Sequence, residues 1–254
     1  MLRIAIQAKG RLNEESIGLL AEAGVSIEDS KRKLLARSDG FPLEVLYLRD
    51  DDIPQAVSMG VADLGVVGLN EVEEKGFDVE IVHRLGFGKC RLSLAVPKTE
   101  PYDGLSYFEG KRVATSYPVI LSRFFREKGI AAEIHEIAGS VEIAPSVGMA
   151  DAIFDIVSSG GTLVTNGLKE VEQVLFSEAV LIGGRALSDD KRQILSQLLF
   201  RIEAVERSRG LKYVLMNLPH AKIPEAVRIL PGMKSPTILP LAQEGWSSIH
   251  VVIN

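Results

Sequence analysis

The chain has 254 residues, 46% hydrophobic and 25% charged, a globular composition with material for two modest cores. Its net charge of −5 argues against a dedicated nucleic-acid binder, and a single cysteine, Cys90, excludes an internal disulfide and a cysteine-rich zinc site. No apolar run reaches ~18 residues, and Lys9 and Arg11 interrupt the first apolar stretch, so neither a membrane span nor a secretory signal is expected and the setting reads as reducing and cytoplasmic.

Leu2 to Gln7 predicts a first parallel strand, and Ala8-Lys9-Gly10-Arg11-Leu12 a tight basic turn. Asn13 is the expected cap of a helix with Glu14 and Glu15 in its first turn and Leu19, Leu20 and Ala23 on its apolar face, ended by Gly24. A strand, a basic turn and a helix N-terminus form an anion-binding arrangement, which makes Lys9 and Arg11 candidates for nucleotide phosphates. On local grounds they are equally two solvated charges beside a turn. Leu43 to Leu48 predicts the next strand, running into Arg49-Asp50-Asp51-Asp52. Three successive acids could hold a hydrated magnesium ion, but Asp52 with Pro54 reads better as the start of a helix over 53–59. Arg49 is the stronger nucleotide candidate. A buried strand ending at Gly68 precedes a helix opened by Leu69, Asn70 and Glu71, then strands follow over 79–84 and 91–96. Cys90 reads as a small packed residue.

The texture at 97–110 turns to Pro, Gly, Tyr and Asp, as expected of a crossover into a second lobe. A strand at 111–118 ends in a polar, aromatic turn at Tyr117, followed by a helix over 121–128 and a strand over 132–137. The stretch Glu142 to Gly167 says most. Ala152 to Val157 predicts a buried strand carrying a carboxylate, Asp155, and Ser158-Ser159-Gly160-Gly161-Thr162 follow at once. Small hydroxyl and glycine residues after a strand expose backbone N–H groups that can wrap a phosphate. Asp155 is then placed to meet sugar hydroxyls or a metal ion, the outline of a ribose 5-phosphate site. Taken alone, the same five residues suit a plain turn. Leu168 to Ile182 predicts a return toward the first lobe, and 188–209 an amphipathic helix. The remainder predicts β-α-β-β, and a four-stranded ferredoxin-like module would need a further helix and strand, so this module reads as incomplete.

Glu142, Gly148, Ala150, Ile153, Asp155, Ile156, Ser159, Gly160, Thr162 and Leu163 together resemble, at every position, the signature of ATP phosphoribosyltransferase, the enzyme that opens histidine biosynthesis. The resemblance extends to residues 8–12, 48–54, 63–68, 90–95 and 114–118. Residues 212–217 and 234–241 resemble the regulatory domain of the family's long form. A looser likeness to purine and pyrimidine phosphoribosyltransferases is weaker, because Phe154 fills a place where those carry an acid. The resemblance implies an α/β fold of two periplasmic-binding-protein-like lobes with a cleft, plus a C-terminal ferredoxin-like regulatory module. Lobe I is expected over 1–96 plus 178–209, lobe II over 97–177 and the partial regulatory module over 211–254. The implied reaction joins N1 of ATP to C1 of phosphoribosyl diphosphate and releases pyrophosphate. The implied cofactor is Mg2+, with protein ligands left open. Histidine is the implied inhibitor, and dimers and hexamers the implied assemblies. Because N1 already carries a lone pair, no catalytic triad is expected.

The resulting expectations are that Ser158, Ser159, Gly160, Gly161 and Thr162 hold the 5-phosphate and that Asp155 binds the ribose hydroxyls. Lys9, Arg11 and Arg49 neutralise pyrophosphate or triphosphate, with Asp155, Arg11 and Lys9 as the catalytic group. Tyr117 stacks on adenine and Glu142 hydrogen-bonds it. The rival from another class is a two-lobed solute binder or sensor that closes on a small anion without reacting.

Overall fold

The computed structural model describes residues 1–27, 34–233 and 235–253, so Lys234 and Asn254 of the expected regulatory module lie outside the described residues. The chain divides into two compact units, Met1–Leu199 and Phe200–Asn254.

In chain order the first unit begins with β1 (Leu2–Gln7), α1 (Arg11–Glu22), β2 (Ser26–Ile27), β3 (Leu35–Asp39) and β4 (Leu43–Leu48). It continues with α2 (Ile53–Ser58), β5 (Leu64–Gly68), α3 (Leu69–Lys75), β6 (Glu80–Arg84) and β7 (Cys90–Pro97). Then come β8 (Arg112–Thr115), α4 (Pro118–Lys128), β9 (Glu133–Glu136), β10 (Ala152–Val157), α5 (Gly161–Thr165), β11 (Leu168–Ser177) and β12 (Ala179–Gly183). The last helix, α6 (Asp189–Ser208), passes through the division at Leu199.

These strands form two sheets. The seven-stranded sheet has the order β2-β3-β4-β1-β5-β12-β6, with β1 parallel to β4 and β5 as the apolar run Leu2–Gln7 predicts. The five-stranded sheet has the order β11-β7-β10-β8-β9. Ala5, Ile53, Val57, Val67, Val180 and Ile182 fill one core of the first sheet. Leu92, Leu94, Phe108, Val113, Leu121 and Phe154 pack one face of the second, while Ala95, Val141, Ile153, Val157 and Leu163 pack its other face. Burying one such side chain contributes about 1.5–3 kcal/mol, so each sheet carries its own core.

The expected lobe boundary at 96/97 is corrected, because β7 pairs antiparallel with β10 and β11 in the five-stranded sheet. Likewise β11 does not return to the first sheet; only β12 does, between β5 and β6. The two crossings between sheets, at 85–89 and at Glu178, run side by side. Leu85 N donates to Ala179 O at 3.0 Å and Ala179 N to Phe87 O at 2.9 Å. β2 and β3 were not foreseen: β3 alternates weakly, and its pairing with β4 is antiparallel within an otherwise parallel stretch.

The second unit, beyond the end of α6, comprises β13 (Lys212–Pro219), α7 (Ile223–Ile229), β14 (Thr237–Pro240) and β15 (Trp246–Ile253). β15 lies between β13 and β14, antiparallel to both, which gives the expected β-α-β-β order. Leu218, Ile249 and Val251 are its buried apolar residues. No helix among the described residues is long and apolar enough to cross a membrane.

Candidate active site

The β1–α1 turn is built around Gly10. Its φ of 97° is a left-handed value that favours glycine, and it lets the chain pass straight from strand to helix. Gly10, not Asn13, therefore stands at the N-cap. Asn13 lies inside the first turn, where its amide donates to Gln7 O at 2.7 Å and fixes the end of β1 against the helix. Arg11 is the first helical residue and pairs with Glu15 at 3.0 Å, while the other Glu15 oxygen accepts the Gly88 N–H at 3.1 Å. The Arg11 side chain remains 64% exposed and lines a cavity of about 320 Å³. Lys9 is exposed and is not among the lining residues.

The second turn follows β10. Gly160 stands at the N-cap of α5 with φ 81°, again a left-handed value, and Ser158, Ser159, Gly161 and Thr162 are exposed around it. Arg91 Nη1 donates to Ser158 O at 3.2 Å, and the same guanidinium is clamped by Glu170 through two contacts of 2.6 Å. Ser93 adds a third bond to Glu170 at 2.8 Å. This network locks the start of the loop to β7 and β11. Ser158 lines the same cavity as Arg11, so the basic turn of one sheet and the glycine loop of the other meet there.

Asp155 shares a strand face with Ile153 and Val157 and lies beside Glu142. Its Oδ1 accepts the Ile156 N–H at 2.7 Å. Burial pushes its carboxyl up to about 6, with a smaller upward push from Glu142 and a downward one from the Ile156 N–H. Glu142 sits in a short 3-10 turn entered through Ser140, the one non-glycine residue with positive φ among the described residues. Asp155 and Glu142 thus flank the loop and do not line the cavity itself.

Tyr117 and Arg49 stand outside the cavity lining. Tyr117 is only 8% exposed and packs in the core of the five-stranded sheet, so its ring is not free to stack on a base. Its hydroxyl donates to Glu71 at 3.0 Å and accepts from Asn70 at 3.2 Å, and burial followed by the Glu71 charge pushes its ionisation far up. Arg49 is 79% exposed and paired with Asp51 at 3.2 Å, and it does not line the cavity. Asp50 to Asp52 form a 3-10 turn ahead of α2, and Asp52 occupies the N-cap without a side-chain capping bond.

Asp50, one of the three acids weighed as a magnesium site, lines the cavity, and so do Asn70, Glu71, Lys89 and Cys90, which escaped the sequence reading as site residues. A signal existed: Asn70 and Glu71 lie within three residues of the C-terminal end of a buried strand, and Gly86-x-Gly-Lys89 is a further glycine turn. Burial pushes the Cys90 thiol up despite Ser177 and Arg11, which leaves it a poor nucleophile. Helices α3 and α4 join the two sheets. Glu74 accepts the N–H groups of Val119 and Ile120 at 2.8 and 2.9 Å, and Glu73 pairs with Arg123 at 2.9 Å. Among the described residues no group of three or more His, Cys, Asp or Glu side chains converges on a point where a metal could sit.

A family model described as HisG, ATP phosphoribosyltransferase, matches residues 49–204, and one for the HisG C-terminal domain matches 208–254. An ATP phosphoribosyltransferase of Bacteroides thetaiotaomicron is 62% identical over 254 residues, which is 100% of this chain and 90% of that protein. A chain of the ATP phosphoribosyl transferase (HisG:HisZ) complex from Thermotoga maritima superposes with a TM-score of 0.70 at 29% identity, over 82% of this chain and 99% of that one. A periplasmic sulfonate-binding protein from Methylobacillus flagellatus shares the fold alone, with a TM-score of 0.55 at 15% identity over 81% of this chain and 68% of that one.

Proposed function

The chain belongs to the ATP phosphoribosyltransferase family, whose reaction joins ATP N1 to C1 of phosphoribosyl diphosphate as the first step of histidine biosynthesis, and we propose that the cavity between the two sheets of the first unit is where it occurs. One observation carries the assignment: Arg11, from the basic turn of the seven-stranded sheet, and Ser158, from the glycine loop of the five-stranded sheet, line one cavity.

In this proposal the loop from Ser158 to Thr162 holds the 5-phosphate through its backbone N–H groups and hydroxyls. Asp155 accepts hydrogen bonds from the ribose hydroxyls, and Glu142, beside it, is the expected hydrogen-bond partner of adenine. Arg11 faces the pyrophosphate being released, and Lys9 and Arg49 contribute charge from the rim. Turnover then rests on aligning N1 with C1 and stabilising the leaving charge, without a general base. Magnesium is the proposed ion. No cluster of protein ligands is present among the described residues, so the substrate diphosphate and water would supply most of its ligands, and Asp155 would be the one protein carboxylate offered. Such an ion supplies charge neutralisation on the leaving pyrophosphate. The cytoplasm, where both substrates are made, is the proposed compartment.

The second unit is proposed as the regulatory module. Tyr213, Ser235, Thr237 and His250 line a cavity of about 550 Å³ there, with donors and acceptors suited to an amino acid such as histidine. A homo-oligomer, dimer or hexamer, is proposed for the assembly.

The test is pyrophosphate release from ATP plus phosphoribosyl diphosphate, with adenine, hypoxanthine and orotate as alternative acceptors. Release with ATP alone is expected. Release with a free base but not ATP would move the chain to the ordinary phosphoribosyltransferases, and binding without release would make it a solute binder.

A further inference from the structure

A cavity that receives two polyanions calls for cations and backbone N–H groups. Yet two carboxylates, Glu71 and Asp50, line the same cavity as Arg11, Lys89 and Ser158. Glu71 is 7% exposed, and its neighbour Asn70 is 5% exposed. Its Oε1 accepts two hydrogen bonds, from Asn70 at 3.1 Å and from the Tyr117 hydroxyl at 3.0 Å. Its Oε2 takes no hydrogen bond and Glu71 forms no ion pair among the described residues. Burial, with the charges of Asp50 and Asp51 behind it, pushes the Glu71 carboxyl up against the opposing pull of the Tyr117 hydrogen bond and the Lys75 charge. Asn70 is itself pinned, because its Oδ1 accepts from Ser177 at 2.8 Å and its backbone N–H donates to the same hydroxyl at 3.0 Å. A carboxylate held this firmly through one oxygen, with the other left without a protein hydrogen bond and the residue lining the cleft, is placed to meet a cation there.

The reaction proposed above creates that cation. When the N1 lone pair forms the N1–C1 bond, the C1–O bond breaks and its electron pair leaves on pyrophosphate. The neutral adenine ring becomes an amidinium spread over N1, C6 and N6, a charge that neither substrate carries. We propose that Glu71 is a catalytic residue of this step. Its Oε2 accepts an adenine N6–H and stabilises the charge growing on the ring, while Asn70 and Tyr117 act as positioning residues through Oε1. The N6 proton stays on nitrogen through the step. The same contact selects ATP over nucleotides with a 6-oxo group, since an oxygen facing Oε2 would leave two acceptors opposed. This assignment rests on the proposed reaction, and it adds which group answers the charge on the base.

The experiment uses the full chain and, as a probe, 1-methyl-ATP, whose N1-substituted ring is cationic and cannot react. Wild-type pyrophosphate release is measured first, and its absence would defeat the proposed reaction and not this assignment. Given turnover, Glu71→Gln keeps the shape and removes the charge, so kcat is expected to fall ~100-fold, the scale of a lost transition-state contact. The KM for phosphoribosyl diphosphate should stay within about threefold, because the change spares the interactions made equally in ground and transition states. Glu71→Gln should also lose about tenfold in its preference for 1-methyl-ATP over ATP, the signature of one lost charge-assisted contact. Tyr117→Phe keeps the charge but loosens it, so the preference should fall in the same direction by a smaller factor, and this variant carries the test if Glu71→Gln does not fold. An unchanged preference in the folded variants would overturn the assignment. So would a raised magnesium requirement with the preference intact, which would make Glu71 a metal ligand.

Discussion

The two glycine turns that meet at the cavity are built alike and charged differently. Each leaves a buried strand and places a left-handed glycine at a helix N-cap, Gly10 with φ 97° and Gly160 with φ 81°, and each sends a residue into the same cavity, Arg11 from the first and Ser158 from the second. The first is flanked by Lys9 and Arg11 and opens a helix of 12 residues. The second has no cation of its own, opens a helix of five residues, and follows a half-buried carboxylate. The first turn is thus suited to a mobile, highly charged group that must be neutralised and then released. The second is suited to a sugar monoester, gripped by backbone and oriented by Asp155. Shared geometry sets where an anion sits, and side-chain charge sets which anion it is.

Breaking the second turn's carboxylate should have the largest effect. Asp155→Asn is expected to cut kcat by ~100-fold or more, if the ribose contact is made mainly in the transition state. Its effect on stability has the opposite sign. A carboxyl raised to about 6 favours the protonated fold below the ordinary range near 4, and that advantage is lost as pH rises through 6. Removing the charge should therefore stabilise the fold at pH 7 by about 1–3 kcal/mol, read as a higher Tm in thermal melts. A variant that loses activity and stability together would place Asp155 in the structural class. The same carboxyl gives a pH signature: kcat/KM should decline as pH drops through about 6, and that limb should vanish in Asp155→Asn.

Next in size, Arg11→Gln should lower kcat/KM by ~10–100-fold, with the loss shrinking as salt rises, because the guanidinium is largely exposed. Gly160→Ala sharpens the comparison from the other side. Forcing a Cβ into the left-handed region costs about 1–2 kcal/mol, so the loop should deform and the KM for phosphoribosyl diphosphate should rise about tenfold while the KM for ATP holds. The smallest effect belongs to Lys9→Gln. An exposed residue off the cavity lining should change kcat/KM by less than about threefold, and a larger loss would show that the first turn works through both its cations.

Apart from β2 and β3, the strands of both sheets were legible because they are apolar runs set off by turn residues. Asp155 with its loop was legible because strand, acid and glycines are contiguous. What sequence could not give was pairing. β7 reads as a strand in either lobe, and only its hydrogen bonds to β10 and β11 decide. Tyr117 misled for a related reason. An aromatic residue at a strand end suits a stacking platform, but the core formed by Phe108, Leu121 and Phe125 encloses it and turns its hydroxyl onto Glu71. Glu71 was missed because nothing local separates a helix-opening glutamate from one held in a cleft. Its partners Tyr117 and Ser177 lie 46 and 107 positions from Glu71 and Asn70.

The paired crossings at 85–89 and Glu178 have a mechanical consequence. They strap the sheets together as two adjacent, hydrogen-bonded cords, so any swing of one sheet against the other must twist both. Gly88, Lys89, Cys90 and Ala179, which belong to or adjoin those cords, also form part of the cavity floor. The crossings and the ligand seat therefore share residues. A molecule bound there would touch the crossing segments themselves, so any motion of one sheet against the other would be felt first at the seat.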